Sequence, residues 1–201
     1  EFGEDIFIRR FFKNEKKGFY VDIGCYHPIK GSLTYYLFKK GWLGLNVDIS
    51  KTSIDLFKMS RPKDHNVNAA ITDFDGETFY YEKGLINQQN SLIGNKDNKK
   101  VKVESYRLET ILNNFSIPNI DYLNIDVEGI DYKVITSLDF SKYRPKLISI
   151  EQNVYNSEKI IISETHKFLT KKNYFLASKI GVTCIYIDNK YEDKIEKIMS
   201  I

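Results

Sequence analysis

GFYVDIG, residues 18–24, is an apolar run of strand length that closes on a glycine. Such a run reads as a buried strand, with a tight turn or a close backbone approach at its end. Working outward from it, Ser32 to Lys40 carries Leu33, Tyr36, Leu37 and Lys40 at helical spacing, and Gly41 closes that helix. LGLNVD, residues 43–48, is a second buried strand. Lys51 to Met59 reads as a short helix stopped before Pro62, and His65 to Ile71 as a third strand. This alternation of strand and helix argues for a parallel sheet.

Upstream, Phe2 to Phe12 reads as a helix, with Glu4-Asp5 in its first turn and an apolar face through Ile6, Phe7 and Phe11. Downstream, Thr78 to Glu82 and Val101 to Val103 are short strands, and Leu108 to Phe115 is a helix. DYLNID (121–126) and KLISIE (146–151) are a fourth and a fifth core strand, with a helix from Tyr132 to Leu138 between them. Ser157 to Lys171 is a further helix. Tyr174 to Lys179 and Cys184 to Asp188 form a hairpin through Gly181. The expected fold is α/β: a doubly wound, Rossmann-like sheet, mostly parallel, with a C-terminal antiparallel hairpin. Neither a repeat nor a linker interrupts residues 1–201, which read as one domain with a short N-terminal helix. The chain begins without Met, so a piece of a longer polypeptide is expected.

Gly84 to Lys100 is polar and long for a loop in a compact domain, which marks it as functional or mobile. Asn87, Gln88, Gln89, Asn90 and Ser91 suit hydrogen bonds to a carbohydrate, so a lid over an acceptor is expected there; plain disorder is the alternative.

With 42% hydrophobic and 28% charged residues, the chain has the balance of a globular core rather than of a disordered segment. A formal net charge of +3, from lysines scattered among acids, argues against nucleic acid as a partner. Cys25 and Cys184 are far apart, sit in apolar stretches and have no metal-binding spacing. Buried, reduced thiols fit a cytoplasmic location. No apolar run is long enough to span a membrane, and no signal peptide is visible.

Open α/β sheets bind ligands beyond the carboxyl ends of their strands, where strand order reverses. Four such ends carry acids here: Asp22, Asp48, Asp126 and Glu151. Four carboxylates on one edge repel, and a cationic ligand or a metal ion relieves that repulsion. Gly24 lets a ligand approach the backbone, although a simple tight turn is the alternative. A full G-x-G-x-x-G is missing, which counts against a pyrophosphate site. Asp48 is placed to accept hydrogen bonds from ribose hydroxyls. Asp126 and Glu128 stand two residues apart; they suit proton transfer, hydroxyl positioning or metal binding, with helix capping as the alternative. Glu151-Gln152-Asn153 offers hard oxygen ligands, with Asp126 as partner. His27, in the loop after the first strand, is a candidate base; a loop histidine without a role is the alternative.

Several runs together resemble a known family: FGEDIFIRRFF (2–12), GFYVDIGCYHP (18–28), GWLGLNVDIS (41–50), RPKDHNVNAAITDFDGETFYY (61–81) and DYLNIDVEGID (121–131). Their order and spacing resemble the FkbM-type methyltransferases. The resemblance implies a class I methyltransferase fold, S-adenosylmethionine as methyl donor and a hydroxyl acceptor, often on a sugar. It assigns Asp22 and Gly24 to the first cofactor motif, Asp48 with Ile49 to the ribose, Ala69-Ala70 to the adenine, and Ser32 and Thr34 to the methionine moiety. Asp126 and Glu128 fall in the IDVEG signature on the acceptor side, where His27 joins them as a catalytic candidate. By looser analogy with sugar and catechol methyltransferases, Asp126 and Glu151 would hold Mg²⁺ or Mn²⁺. The implied partners are a sugar or nucleotide-sugar acceptor of polysaccharide biosynthesis, and a second copy of the chain or a further domain. Two features depart from the pattern. The second strand ends Asp48-Ile49-Ser50 where relatives often have Glu-Pro, and the stretch after Glu151 matches little, which leaves the acceptor open. An NAD-dependent oxidoreductase and a non-catalytic nucleotide-sugar-binding module are the alternatives.

Overall fold

The computed structural model describes residues 3–82, 92–93, 99–154 and 156–199. After helix α1 (Glu4–Phe11), the chain runs β1 (Phe19–Ile23), α2 (Tyr35–Lys39), β2 (Leu43–Asp48), α3 (Lys51–Ser60) and β3 (His65–Asn68). It continues through β4 (Ala70–Thr72), β5 (Gly76–Glu82), β6 (Lys99–Arg107), α4 (Leu108–Asn114), β7 (Tyr122–Ile125), α5 (Asp131–Thr136) and β8 (Leu147–Glu151). Two helices, α6 (Ser157–Ile161) and α7 (Glu164–Lys171), then lead to β9 (Tyr174–Ile180), β10 (Thr183–Asp188) and α8 (Glu192–Met199).

The main sheet has seven strands in the order β3-β2-β1-β7-β8-β10-β9. Its first five are mutually parallel, and the last two form the expected antiparallel hairpin. Strand order reverses between β1 and β7. One face buries Val21, Ile23, Leu45, Val47, Leu123 and Ile125 beneath α4, α5 and α7. The opposite face buries Tyr20, Tyr122, Ile185 and Ile187 beneath α1 and α2, whose contributions include Ile8, Phe11, Phe12 and Leu37. Burying a large side chain of this kind is worth roughly 1.5–3 kcal/mol. This double cover explains why the parallel strands read as nearly continuous apolar runs.

Several elements differ from the sequence reading, each for a local reason. The third strand does not continue to Ile71. Asn68 Nδ2 binds the carbonyls of Asp48 and Ile49, the chain breaks at Ala69, and β4 leaves for a second sheet of order β4-β6-β5. Ser32 and Thr34 precede the helix rather than opening it, because their hydroxyls are committed to tertiary hydrogen bonds. The single helix expected over Ser157 to Lys171 is two, because Ser163 caps the second through the amide of His166. α8 carries too few apolar residues to stand out in the sequence. Of Gly84 to Lys100, the described residues are Leu92, Ile93, Lys99 and Lys100. The expected carbohydrate-binding run Asn87 to Ser91 lies outside them. No helix among the described residues is long and apolar enough to cross a membrane, and both cysteines are free and buried.

Candidate active site at the carboxyl edge of the sheet

Register builds the site. Asn66, Asn46, Asp22, Asn124 and Ser149 are direct neighbours on five successive parallel strands. Their side chains share one face and hydrogen-bond sideways. Asn46 Nδ2 donates to Asn66 at 2.9 Å, Asn124 Nδ2 to Asp22 at 2.9 Å, and Ser149 Oγ to Asn124 at 2.6 Å. Two residues further along the strands, the same registers lead to Asp48, Gly24, Asp126 and Glu151, with Thr183 beside Glu151. In this row Asp48 pairs with Asn68 and Glu151 with Thr183, and the Asp126 amide donates to the Ile23 carbonyl at 2.9 Å. Acids that are scattered in sequence become a row, with a gap at the glycine.

That gap is structural. Gly24 has φ +77°, and a Cβ there would lie 1.7 Å from the Asp126 carbonyl oxygen. Tyr26 and Glu128, in the loops after β1 and β7, also adopt left-handed backbone, at φ 53° and 56°. Each such non-glycine residue costs on the order of 1–2 kcal/mol. The two strained loops flank a cavity of about 440 Å³ beyond the β1–β7 reversal.

Among the expected cofactor residues, Gly24, Ser32, Asp48, Ile49, Ala69 and Ala70 line this cavity. Asp22 also borders it, but its carboxylate turns into the protein and accepts from Thr34 Oγ1 at 2.7 Å and from Asn124. Burial raises its pKa, and those two hydrogen bonds offset part of the rise. Thr34 is fully buried behind Ser32 and does not line the cavity. Asp48 accepts the Tyr26 amide at 2.8 Å on one oxygen and the Ser50 amide at 2.7 Å on the other. Each oxygen keeps a lone pair for a ligand. Burial pushes the Asp48 pKa up to about 6 against the pull of those amides.

On the other side of Gly24, Asp126, Glu128 and Glu151 all line the cavity. Asp126 meets solvent through the cavity itself. Surrounding protein raises its pKa well above the usual carboxylate range, and the Glu151 charge adds to the rise. Burial, with Asp131 and Glu128 nearby, lifts Glu151 to about 7, while hydrogen bonding with Asn153 and Asp126 restrains it. Ionised Glu151 thus disfavours ionisation of Asp126, and Glu151 Oε2 is buried without a partner. The expected Mg²⁺ or Mn²⁺ finds no support in this arrangement. Hard cations need several deprotonated oxygen ligands, and no group of three or more His, Cys, Asp or Glu side chains among the described residues is arranged to hold an ion.

His27 is the other displaced expectation. It does not line the cavity, and its Nδ1 accepts the amides of Ile29 at 3.1 Å and Lys30 at 3.0 Å. Partial burial, with Lys30 and Arg61 nearby, lowers its pKa, so it braces the loop as a neutral ring. Sequence reasoning missed Glu4, Leu92 and Thr183, which line the cavity from distant elements. It also missed Asn124 and Arg61, whose contacts depend on register and burial. α2 does not begin until Tyr35, so it does not follow directly on the turn at Gly24.

A sequence model of the methyltransferase FkbM domain matches residues 22–176. No curated protein and no solved structure matches the chain. The match begins at Asp22 and runs through the parallel sheet into β9, past Glu151 where the recognisable motifs stop. It takes in Asp22, Gly24, Asp48, Asp126 and Glu151 of the carboxyl edge, and the chain belongs to the methyltransferase FkbM domain family.

Proposed function

We propose that the chain transfers a methyl group from S-adenosylmethionine to a hydroxyl oxygen of a sugar. The observation that carries this reading is the row Asp48–Gly24–Asp126–Glu151 along the cavity. It offers a ribose acceptor, a glycine backbone position and a protonatable carboxyl pair in succession. In this reading Ile49 and Ala69-Ala70 form the adenine side, Asp48 accepts from the ribose hydroxyls, and Ser32 faces the methionine moiety. Gly24 lets the loop after β7 close on β1, because the space of a Cβ there is taken by the Asp126 carbonyl oxygen. Acidic side chains along the lining, Glu4, Asp48 and Glu128 among them, favour a sulfonium over an anionic ligand.

Bound S-adenosylmethionine supplies an electrophilic methyl group, whose C–S electron pair stays on sulfur as S-adenosylhomocysteine leaves. The protein must hold the acceptor oxygen in line with that bond, and such positioning accounts for much of the rate. A sugar hydroxyl is a poor nucleophile and needs a base as the O–C bond forms. Glu151, which lines the cavity with its pKa lifted to about 7, is suited to take the proton. Asp126 hydrogen-bonds with it and orients it. A carboxylate beside the acceptor stabilises the positive charge that develops on that oxygen in the transition state. No metal ion enters this scheme.

The test is transfer of labelled methyl from S-adenosylmethionine to a panel of glycosides by wild type and by Glu151→Gln. The variant should lose at least about 100-fold in turnover, a typical general-base contribution, while keeping S-adenosylhomocysteine affinity within a few fold. Full activity in Glu151→Gln would overturn the assignment.

A further inference from the structure

Arg61 is fully buried, and no role in the reaction has yet been given to it. It ends α3 as the C-cap residue, just before Pro62. Burying a guanidinium is expensive unless its donors are satisfied. Here four of its five N–H donors are used, in two directions, and Nε alone has no partner among the described residues. Nη2 donates to the Pro28 carbonyl and, at 2.9 Å, to Ser32 Oγ; Nη1 donates to Thr34 Oγ1 at 2.8 Å and to Tyr20 Oη at 3.2 Å. Four aromatic rings surround the group, the nearest being Phe57 at 4.8 Å and Phe38 at 5.1 Å. Its charge is met through single hydroxyls: Thr34 passes it to Asp22, and Tyr20 hydrogen-bonds to Asp64.

Three of those four acceptors lie between Pro28 and Thr34. No helix or strand covers Gly24 to Thr34, so backbone pairing does little to fix this segment. Yet Gly31, Ser32 and Leu33 form one wall of the cavity. A planar fork with several fixed donors can pin three points of a loop at once, which an ammonium or an apolar chain cannot.

We propose that Arg61 is the positioning residue for cofactor binding, holding the Pro28–Thr34 loop against the sheet through Ser32 and Thr34. The role of Thr34 follows: it serves the cofactor from behind the wall, as the link between Arg61 and Asp22. This inference rests on the methyltransferase reading, because the loop matters only if its wall receives the methyl donor. It concerns a residue outside the cavity, so its effect must appear in the donor parameters. Arg61→Lys keeps the charge and loses the fork. It should raise the KM for S-adenosylmethionine and the Kd for S-adenosylhomocysteine by ten-fold or more, with kcat at saturating donor and the acceptor KM within about three-fold of wild type. Millimolar guanidinium should restore affinity to Arg61→Ala by occupying the vacated site.

Thr34 supplies a second pair of variants, in case the Arg61 substitutions do not fold. Thr34→Ser keeps the hydroxyl and should bind like wild type; Thr34→Val should weaken donor binding by several fold. Calorimetric titration of S-adenosylhomocysteine into wild type and these variants is the deciding experiment. No binding by wild type would remove the methyltransferase reading itself. Wild-type affinity in Arg61→Lys or Thr34→Val, or equal loss of donor affinity and kcat, would overturn the role of Arg61 and leave that reading intact.

Discussion

Gly24→Ala adds one methyl group at the point where the β1 and β7 loops cross. The new Cβ would sit 1.7 Å from the Asp126 carbonyl oxygen, on a residue whose φ is +77°. The left-handed backbone alone costs about 1–2 kcal/mol for alanine. To restore ordinary contact, the loops must separate by roughly 1.5–2 Å. That separation breaks the 2.9 Å hydrogen bond from the Asp126 amide to Ile23, worth about 1 kcal/mol. Added strain brings the total to about 3–5 kcal/mol, a large part of a stability of roughly 5–15 kcal/mol. At about 2–4 °C per kcal/mol for a chain of this size, the melting temperature should fall by roughly 6–20 °C. The same shift carries Asp126 away from Asp48, and a misplacement of about 1 Å is enough to cost about 100-fold in rate. Circular dichroism melting and S-adenosylhomocysteine calorimetry read the two effects separately. A Gly24→Ala protein that melts within about 2 °C of wild type and binds S-adenosylhomocysteine equally well would refute this account of the crossing.

Three further outcomes follow from the electrostatics. Asp48→Ala should weaken S-adenosylhomocysteine binding about 100-fold, the loss of two charge-assisted hydrogen bonds at about 1.5 kcal/mol each, as measured by calorimetry. Because burial holds the Asp48 pKa at about 6, above its unfolded value, its contribution to stability is complete at low pH and lost as pH rises through 6. Ribose donors favour its ionised form, so ligand binding below pH 6 should release protons, seen as a dependence of the binding heat on the buffer. For Glu151, ionisation near pH 7 should make kcat/KM rise through that pH and level off above it. Glu151→Gln should flatten the profile, and an unchanged profile would remove Glu151 as the base. Away from the site, Glu15 hydrogen-bonds Lys146 at 2.6 Å and Lys194 at 2.7 Å, and these partners pull its pKa down despite the opposing effect of burial. That stabilisation is present above the usual carboxylate range and lost as pH falls through the lowered value. Melting of Glu15→Gln and wild type should therefore converge in acid.

The parallel strands were legible because both faces of the sheet are covered, which makes GFYVDIG, LGLNVD, DYLNID and KLISIE mostly apolar. Their terminal acids were legible as single residues. Their alignment was not, because it depends on register between strands as far apart in sequence as Asp22 and Asn124. Nearness in sequence misled in two places. His27 lies in the right loop, but its ring turns back to two amides of that loop. Thr34 belongs to the right segment but faces Arg61 and Asp22. Arg61 itself, in the plain polar run RPKDHN, looks like a surface residue; only the packing of Phe38 and Phe57 around it reveals a buried cation. The metal expectation rested on counting carboxylates. Their raised pKa values, set by burial and mutual repulsion, cannot be counted from a sequence.

The central claim is that the cavity beyond β1 and β7 receives the methyl donor. It is tested most directly by calorimetric titration of S-adenosylhomocysteine into the wild-type chain at pH 7.5 or so, with and without Mg²⁺. The account predicts one site of micromolar affinity that does not respond to the metal and is lost in Asp48→Ala. Absence of binding at millimolar ligand would contradict the claim, and binding that survives Asp48→Ala unchanged would place the ligand elsewhere.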